Sequence, residues 1–261
     1  MAEIIEQSRI PKRTLVDGFK VPAIGLGTFG SDKYNSDQIA EAVYGGIRAG
    51  YRMIDCASVY QNENRIGESI ERVLKEGIVD RADLFITSKV WNDMHNRVKE
   101  SCEKSLKDLR VSYLDLYLVH WPDPNVSMEE TIGAVAQLKK EGKILHAGVS
   151  NFTKEQIEEA GKYCEIEAYQ PQYSMLDGDN EAVIRWAAAQ GMGIMSYGTL
   201  GGGILTGTYR EVRTFGETDN RNRFYPYFRE PLFSKVMELL EVMDAIAAER
   251  GVPLAQIAVN W

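Results

Sequence analysis

The sequence predicts an α/β fold, a parallel sheet closed as a (β/α)8 TIM barrel. Three observations carry the expectation. Apolar runs of strand length alternate with amphipathic helical stretches, and this unit repeats about every 30 residues. The length, 261 residues, is close to the ~250 typical of an eight-fold βα barrel. Strict alternation with short connections also suits an open doubly wound sheet, but the even repeat favours closure. With no break in composition and no linker, residues 1–261 are expected to form one barrel domain.

The first unit, RTLVDGFKVP (13–22), holds two short extended runs around Asp17-Gly18, the dipeptide of a type I′ turn, and predicts an N-terminal β-hairpin. The strand candidates follow in order. AIGLG (23–27) precedes a helix with Ile39, Val43 and Ile47 on one face, and YRMID (51–55) precedes one with Ile66, Ile70, Val73 and Leu74. DLFITSK leads to Val98, Cys102, Leu106 and Leu109; LDLYLVH leads to Ile132, Val135 and Leu138; ILHAGVS leads to Ile157 and Ala160. EAYQPQ and GIMSY complete seven strands, separated by a helix with Val183, Ile184 and Ala187. Gly50, Gly142 and Gly191 fall where helices should end, and Ser127 with Glu130, and Thr153 with Gln156, read as capping boxes. An eighth strand and helix would need roughly 30 residues after Trp261. The eighth βα unit is therefore expected to be missing and the barrel C-terminally incomplete.

Lys and Arg total 30 against 38 Asp and Glu, a net charge of -8, with no basic run to track phosphates. Nucleic acid is excluded as an expected partner. The start, MAEIIEQSRIPKRTL, has no leader pattern, and no segment approaches the roughly 18 apolar residues of a membrane span, so a cytoplasmic protein without membrane attachment is expected. Cys56, Cys102 and Cys164 are scattered, without histidines at ligand spacing; no metal site is expected.

AIGLGTFG matches G-x-G-x-x-G, with Asp55 downstream as a possible ribose ligand. A nucleotide loop of that kind opens directly into a helix. Here Gly30 is followed by SDKYNSDQ, in which Asn35 or Ser36 caps a helix that begins later. The glycines instead end a first strand, where the lack of a side chain at Gly27, beside Thr28, lets a flat ligand approach the backbone.

Catalytic groups in a βα barrel sit at the carboxyl ends of strands. Three consecutive strands carry an ionisable residue there: Asp55, Lys89 and His120. Leu116 and Leu118 share the parity of His120, which points it inward. Tyr60 follows Asp55 by five residues. Beside Lys89, the phenol is expected to become a stronger acid than its ordinary pKa of about 10, because the ammonium favours the phenolate. Asp55 would hold Lys89, and neutral His120 would orient a carbonyl oxygen. Phe29, Trp91 and Trp121 follow strand ends and, with Tyr60 and His120, would form an apolar substrate mouth.

Several stretches resemble the aldo-keto reductases. GYRMIDCASVYQNE with Ile66-Gly67 is similar to that family's first signature, and ITSKVW, DLYLVHWP and HAGVSNF follow in the family's order. Cys56 stands where the family usually has Ser or Thr. The resemblance, running from Thr14 to Trp261, implies a barrel that binds NADP(H) without a Rossmann domain and reduces small-molecule carbonyls, or oxidises alcohols, with Asp55, Tyr60, Lys89 and His120 as its tetrad. It also implies a cofactor site: Ser150, Asn151 and Gln170 at the carboxamide, Tyr197 stacked on the ring, and Gly198, Leu200 and Gly201 with Gly27, Thr28 and Asp55 around the rest. NADPH over NADH rests on resemblance alone, so NAD(H) stays open, and a monomer is favoured. The alternative function is a catalytically slow, nucleotide-binding regulatory subunit on the same fold. Residues 198–231 form a long connection without period, a candidate lid. Its Arg210, Arg213, Arg221, Arg223 and Arg229 either meet anionic groups of a ligand or belong to a solvated mixed-charge loop.

Overall fold

The computed structural model describes residues 11–14, 18–30 and 33–261. Its chain divides into two compact units, Met1–Gln170 with Arg185–Ile194, and Pro171–Ile184 with Met195–Trp261.

The hairpin expected near the start is present as β1 (Lys12–Thr14) paired antiparallel with β2 (Lys20–Pro22), Arg13 opposite Val21. Asp17 of its proposed turn, and residues 1–10 read for a leader, lie outside the described residues. The main sheet then begins. In chain order its strands and helices are β3 (Gly25–Gly27), α1 (Ser36–Arg48), β4 (Met53–Asp55), α2 (Glu63–Lys75), β5 (Phe85–Val90), α3 (Val98–Leu109) and β6 (Leu114–Val119). They continue with α4 (Met128–Lys140), β7 (Ile144–Ser150), α5 (Lys154–Ala160), β8 (Ala168–Gln170), α6 (Glu181–Ala189) and β9 (Gly193–Ile194).

All seven strands from β3 to β9 are parallel, and each pairs with its neighbours in sequence. Sequential order without a reversal is the arrangement of a βα barrel; a doubly wound sheet changes direction at a switch point. Among the described residues this sheet has the seven strands read from the sequence. The register decides what the strand ends share: Gly27 pairs with Asp55, and Ser150 with Gln170.

The helices form where apolar side chains recur at three- and four-residue spacing. Ile47 of α1 and Ile66, Ile70 and Val73 of α2 are fully buried, as are Ile132, Val135 and Leu138 of α4. Each such side chain contributes about 1.5–3 kcal/mol relative to exposure. Asn35 begins α1 with a full capping box to Gln38, and Thr153 begins α5 with one to Gln156. Ser127 makes only half of the expected box, accepting from the Glu130 amide. Gly50, Gly142 and Gly191 have φ of 109°, 72° and 86°, the left-handed conformation that ends a helix. Helices α2 and α3 pack closely at Gly67, where a β-carbon would stand 2.1 Å from the Asp108 carbonyl oxygen.

GIMSY is less extended than its sequence suggests: only Gly193–Ile194 form β9, and in the second unit Tyr197 makes a single bridge to Gln172. The connection without period consists of short turns: 3-10 segments at Gly201–Thr206 and Pro226–Phe228 and a one-turn helix α7 (Arg221–Phe224). They lead to α8 (Leu232–Arg250) and α9 (Leu254–Asn260). Ile204, Leu205, Phe228, Phe233, Val236, Leu240, Met243 and Ala258 form the core of this unit. The connection is packed where its aromatic residues meet, while residues 210–214 and 216–218 are exposed. Phe215 and Tyr209 meet the Phe228 ring edge-on at 4.8 and 5.3 Å, and the Arg221 guanidinium lies 3.9 Å from the Phe215 ring centre. Among the described residues no helix is long and apolar enough to cross a membrane.

Candidate active site

The carboxyl ends of β3 to β8 place most of the expected site residues. Asp55 is the last residue of β4, Lys89 the penultimate residue of β5, and His120 directly follows β6. Tyr60 ends a 3-10 turn over Ser58–Tyr60, and Gln61 after it is left-handed, with φ 55°. That turn folds the Tyr60 segment back toward β5.

Lys89 is the centre of the arrangement. Its side chain is fully buried, and its Nζ donates to Asp55 Oδ2 at 2.7 Å and to the Cys56 carbonyl oxygen at 2.8 Å. The same Nζ lies 5.2 Å from the Tyr60 ring centre. Burial opposes the ammonium, but Asp55 and then Tyr60 more than offset it, and the Lys89 pKa is raised. A buried lysine is thus kept charged by its partners. Asp55 is held in turn: Oδ1 accepts from Gln170 Nε2 (3.1 Å), and its carbonyl oxygen accepts from the Thr28 amide (3.1 Å) and hydroxyl (3.0 Å).

The Tyr60 phenol departs from the expectation. Its pKa is raised, not lowered, because loss of solvent around the ring outweighs the Lys89 charge. Sequence shows the neighbouring cation but not the depth of burial, which is the larger effect here. At neutral pH the group is a phenol with its proton. His120 stands edge-on to Tyr60, ring centres 5.8 Å apart, and to Trp91 at 5.1 Å. Burial, then the Lys89 charge, hold its imidazole down at about 3, so it is neutral.

The neighbouring strand ends supply polar groups. Ser150 Oγ donates to the Gln170 carbonyl oxygen (2.7 Å), and Asn151 Nδ2 donates to the His120 carbonyl oxygen and to Ser150 Oγ, both at 3.0 Å. Asn151 holds a left-handed φ of 61°, which asparagine tolerates better than most residues. Above Gly27 a β-carbon would meet nothing within 4 Å, leaving open backbone beside Asp55. Phe29, 49% exposed, packs on Tyr60 with ring centres 5.2 Å apart, and Trp121 is 42% exposed directly after His120.

Tyr197, Gly198, Leu200 and Gly201 belong to the second unit. There the Tyr197 amide donates to the Pro171 carbonyl oxygen (3.0 Å) and the Gly201 amide to the Gly198 carbonyl oxygen (2.8 Å). The five arginines of the long connection have partners inside that unit. Arg221 bonds to Asp219 and Tyr209, Arg210 to Asp244 (2.8 Å), and Arg229 to the Asn222 carbonyl oxygen (2.8 Å). Arg213 and Arg223 lie against the Tyr209 and Phe224 rings.

Sequence reasoning assigned no role to Ser58, Asn62, Glu63 or Ser88. Ser58 Oγ donates to the Lys89 carbonyl oxygen (3.0 Å), Asn62 Nδ2 to the Thr28 carbonyl oxygen (2.9 Å), and Ser88 Oγ to Glu63 Oε1 (2.6 Å). The available signal was the position of Asn62 and Glu63, polar residues at the start of an otherwise apolar-faced helix.

The model of the aldo/keto reductase family matches residues 23–261. The NADP-dependent D-sorbitol-6-phosphate dehydrogenase of Malus domestica is 42% identical over 137 residues, 52% of this chain and 43% of that protein. The alignment thus spans less than half of that relative. The methylglyoxal reductase DkgB of Escherichia coli O157:H7 is 38% identical over 186 residues, 69% of this chain and 67% of that protein. Among solved structures, a Bombyx mori aldo-keto reductase in complex with NADP superposes with a TM-score of 0.76 at 28% identity, covering 95% of this chain and 78% of that one.

Proposed function

This chain belongs to the aldo/keto reductase family, and from that premise we propose that it reduces an aldehyde or ketone to the alcohol with NADP(H). The observation that carries the reading is the buried Lys89, 2.7 Å from Asp55 and 5.2 Å from the Tyr60 ring, with neutral His120 on the next strand end.

The residues present suit a nicotinamide nucleotide. Ser150, Asn151 and Gln170 bring amide and hydroxyl groups to adjacent strand ends, and the space above Gly27 is open. Bound NADP(H) supplies a hydride to the carbonyl carbon. The chain's own residues handle the oxygen. Tyr60 donates its phenolic proton to the carbonyl oxygen, and the charge left on the phenolate is stabilised by the Lys89 ammonium. Asp55 keeps Lys89 charged and fixed, while neutral His120 offers a ring N–H to the same oxygen. Phe29, Trp91 and Trp121 would shield the reacting centre and receive the apolar body of the substrate. Tyr197, Gly198, Leu200 and Gly201 are proposed cofactor contacts.

NADP(H) is preferred to NAD(H) because the Malus domestica relative is named as NADP-dependent and the Bombyx mori structure contains NADP. Methylglyoxal is a first substrate to test, from the name of the Escherichia coli relative. Oxidation of NADPH, and of NADH in parallel, should be followed with methylglyoxal and a panel of aromatic and aliphatic aldehydes and ketones. Turnover with NADPH is expected. Tight nucleotide binding with no carbonyl reduced would overturn the reading in favour of a regulatory subunit.

A further inference from the structure

Glu63 is a buried carboxyl without a part in the chemistry above. It is 4% exposed at the start of α2, three residues past Tyr60. Its Oε1 accepts from Ser88 Oγ at 2.6 Å and its Oε2 from Ser105 Oγ at 2.9 Å. Burial raises the pKa of this carboxyl, while the serine hydroxyls act in the other direction. A carboxyl held inside by hydroxyls is a costly way to pack a helix that Ile66, Ile70 and Gly67 already seat. Its partners explain the choice of residue. Ser88 immediately precedes Lys89 in β5, and at the other end of the segment Ser58 Oγ bonds to the Lys89 carbonyl oxygen. Residues 58–63 are thus tied at both ends to the two residues of β5 that carry and precede the lysine. Asn62 adds a third tie, to Thr28 at the end of β3. Tyr60 lies between these anchors.

We propose that Glu63 is a positioning residue for Tyr60: with Ser58 it clips the Tyr60 segment to β5 at Ser88 and Lys89, and so sets the Tyr60–Lys89 separation. This rests on the reading of Tyr60 as proton donor. A displacement of about 1 Å far from the reacting atoms can cost on the order of 100-fold in rate. Ser105 shares the same carboxyl from α3, and Ser88 Oγ lies 3.4 Å from its hydroxyl, but removing it leaves the Glu63–Ser88 bond in place and therefore separates positioning from simple packing.

The test uses Glu63→Ala, Glu63→Gln, Ser88→Ala and Ser105→Ala in the full chain. Glu63→Ala and Ser88→Ala should lower kcat for methylglyoxal by about 10- to 100-fold, with KM for NADPH within about threefold, and move the alkaline limb of the kcat profile. Glu63→Gln, which can still bond both hydroxyls, should restore most of the rate. Ser105→Ala should lower Tm and leave the profile in place. A second readout needs no turnover: the titration of the Tyr60 ring carbon in protein labelled with 13C-tyrosine, assigned by its loss in Tyr60→Phe. It should shift by at least about half a pH unit in Glu63→Ala and Ser88→Ala only. Folded variants with the wild-type rate profile and Tyr60 titration would overturn the proposal. If Glu63→Ala does not fold, Ser88→Ala decides in the same terms. If the wild type binds NADPH but reduces no carbonyl, the reductase reading falls, and the Tyr60 titration alone decides the role of Glu63.

Discussion

Lys89 Nζ and Asp55 Oδ2 stand 2.7 Å apart, the lysine side chain fully buried and the aspartate 17% exposed. The ion pair joins the ends of two neighbouring strands; the carboxylate also accepts from Gln170 on β8, and the Asp55 carbonyl oxygen accepts from Thr28 after β3. Breaking a buried pair by removing one partner leaves the other charge uncompensated.

Asp55→Asn should therefore destabilise the fold by about 3 kcal/mol in urea unfolding, through the stranded ammonium. It should also lower kcat by on the order of 100-fold, since Lys89 is no longer held near Tyr60. Unchanged stability together with unchanged turnover would show that the pair is incidental.

His120 makes an acid-side prediction. Burial, then the Lys89 charge, hold its pKa at about 3 in place of 6.5. Between those values the unfolded chain binds a proton at this position and the folded chain does not, so stability falls as pH drops from about 6.5 toward 3. His120→Gln removes that contribution and should narrow the Tm difference between neutral solution and about pH 4.5. An equally steep loss of Tm in the variant contradicts a neutral, buried imidazole.

At Gly67 α2 closely approaches the end of α3. A β-carbon there would stand 2.1 Å from the Asp108 carbonyl oxygen and 2.8 Å from the Leu109 carbonyl carbon. Both are backbone atoms and cannot swing aside. Gly67→Ala should cost about 1–3 kcal/mol or more, read as a lower Tm. A variant as stable as the wild type would mean that the helices can part without penalty.

Arg221 is held by Asp219 and Tyr209 and covers the Phe215 ring. If it organises the 209–228 connection rather than meeting an anionic ligand, Arg221→Ala should speed proteolysis within that connection severalfold and leave NADPH affinity near the wild-type value. Loss of affinity with unchanged proteolysis would reverse the assignment.

Much of this was legible in the sequence because strands and helices announce themselves by period. ILHAGVS coincides with β7, and Asn35 caps α1 where the polar turn after Gly30 suggested. Two kinds of information were missing. The Tyr60 pKa depends on how deeply the ring is buried, which no local pattern encodes, and the effect of the cation alone pointed the wrong way. The role of Glu63 depends on Ser88 and Ser105, 25 and 42 residues further on. A carboxylate at a helix start is ordinarily a solvated favourable charge. Only the fold shows it enclosed. The connection after Tyr197 gave no period because it is built from left-handed glycines and an aromatic cluster, neither of which repeats.

The most direct measurement compares wild type and Tyr60→Phe in single-turnover reduction of methylglyoxal by prebound NADPH, with NADPH affinity measured on both. A loss of at least about 100-fold in the rate of the variant is expected, with affinity within about threefold, because only the proton donor is removed. A variant that reduces the aldehyde at the wild-type rate would contradict Tyr60 as the acid.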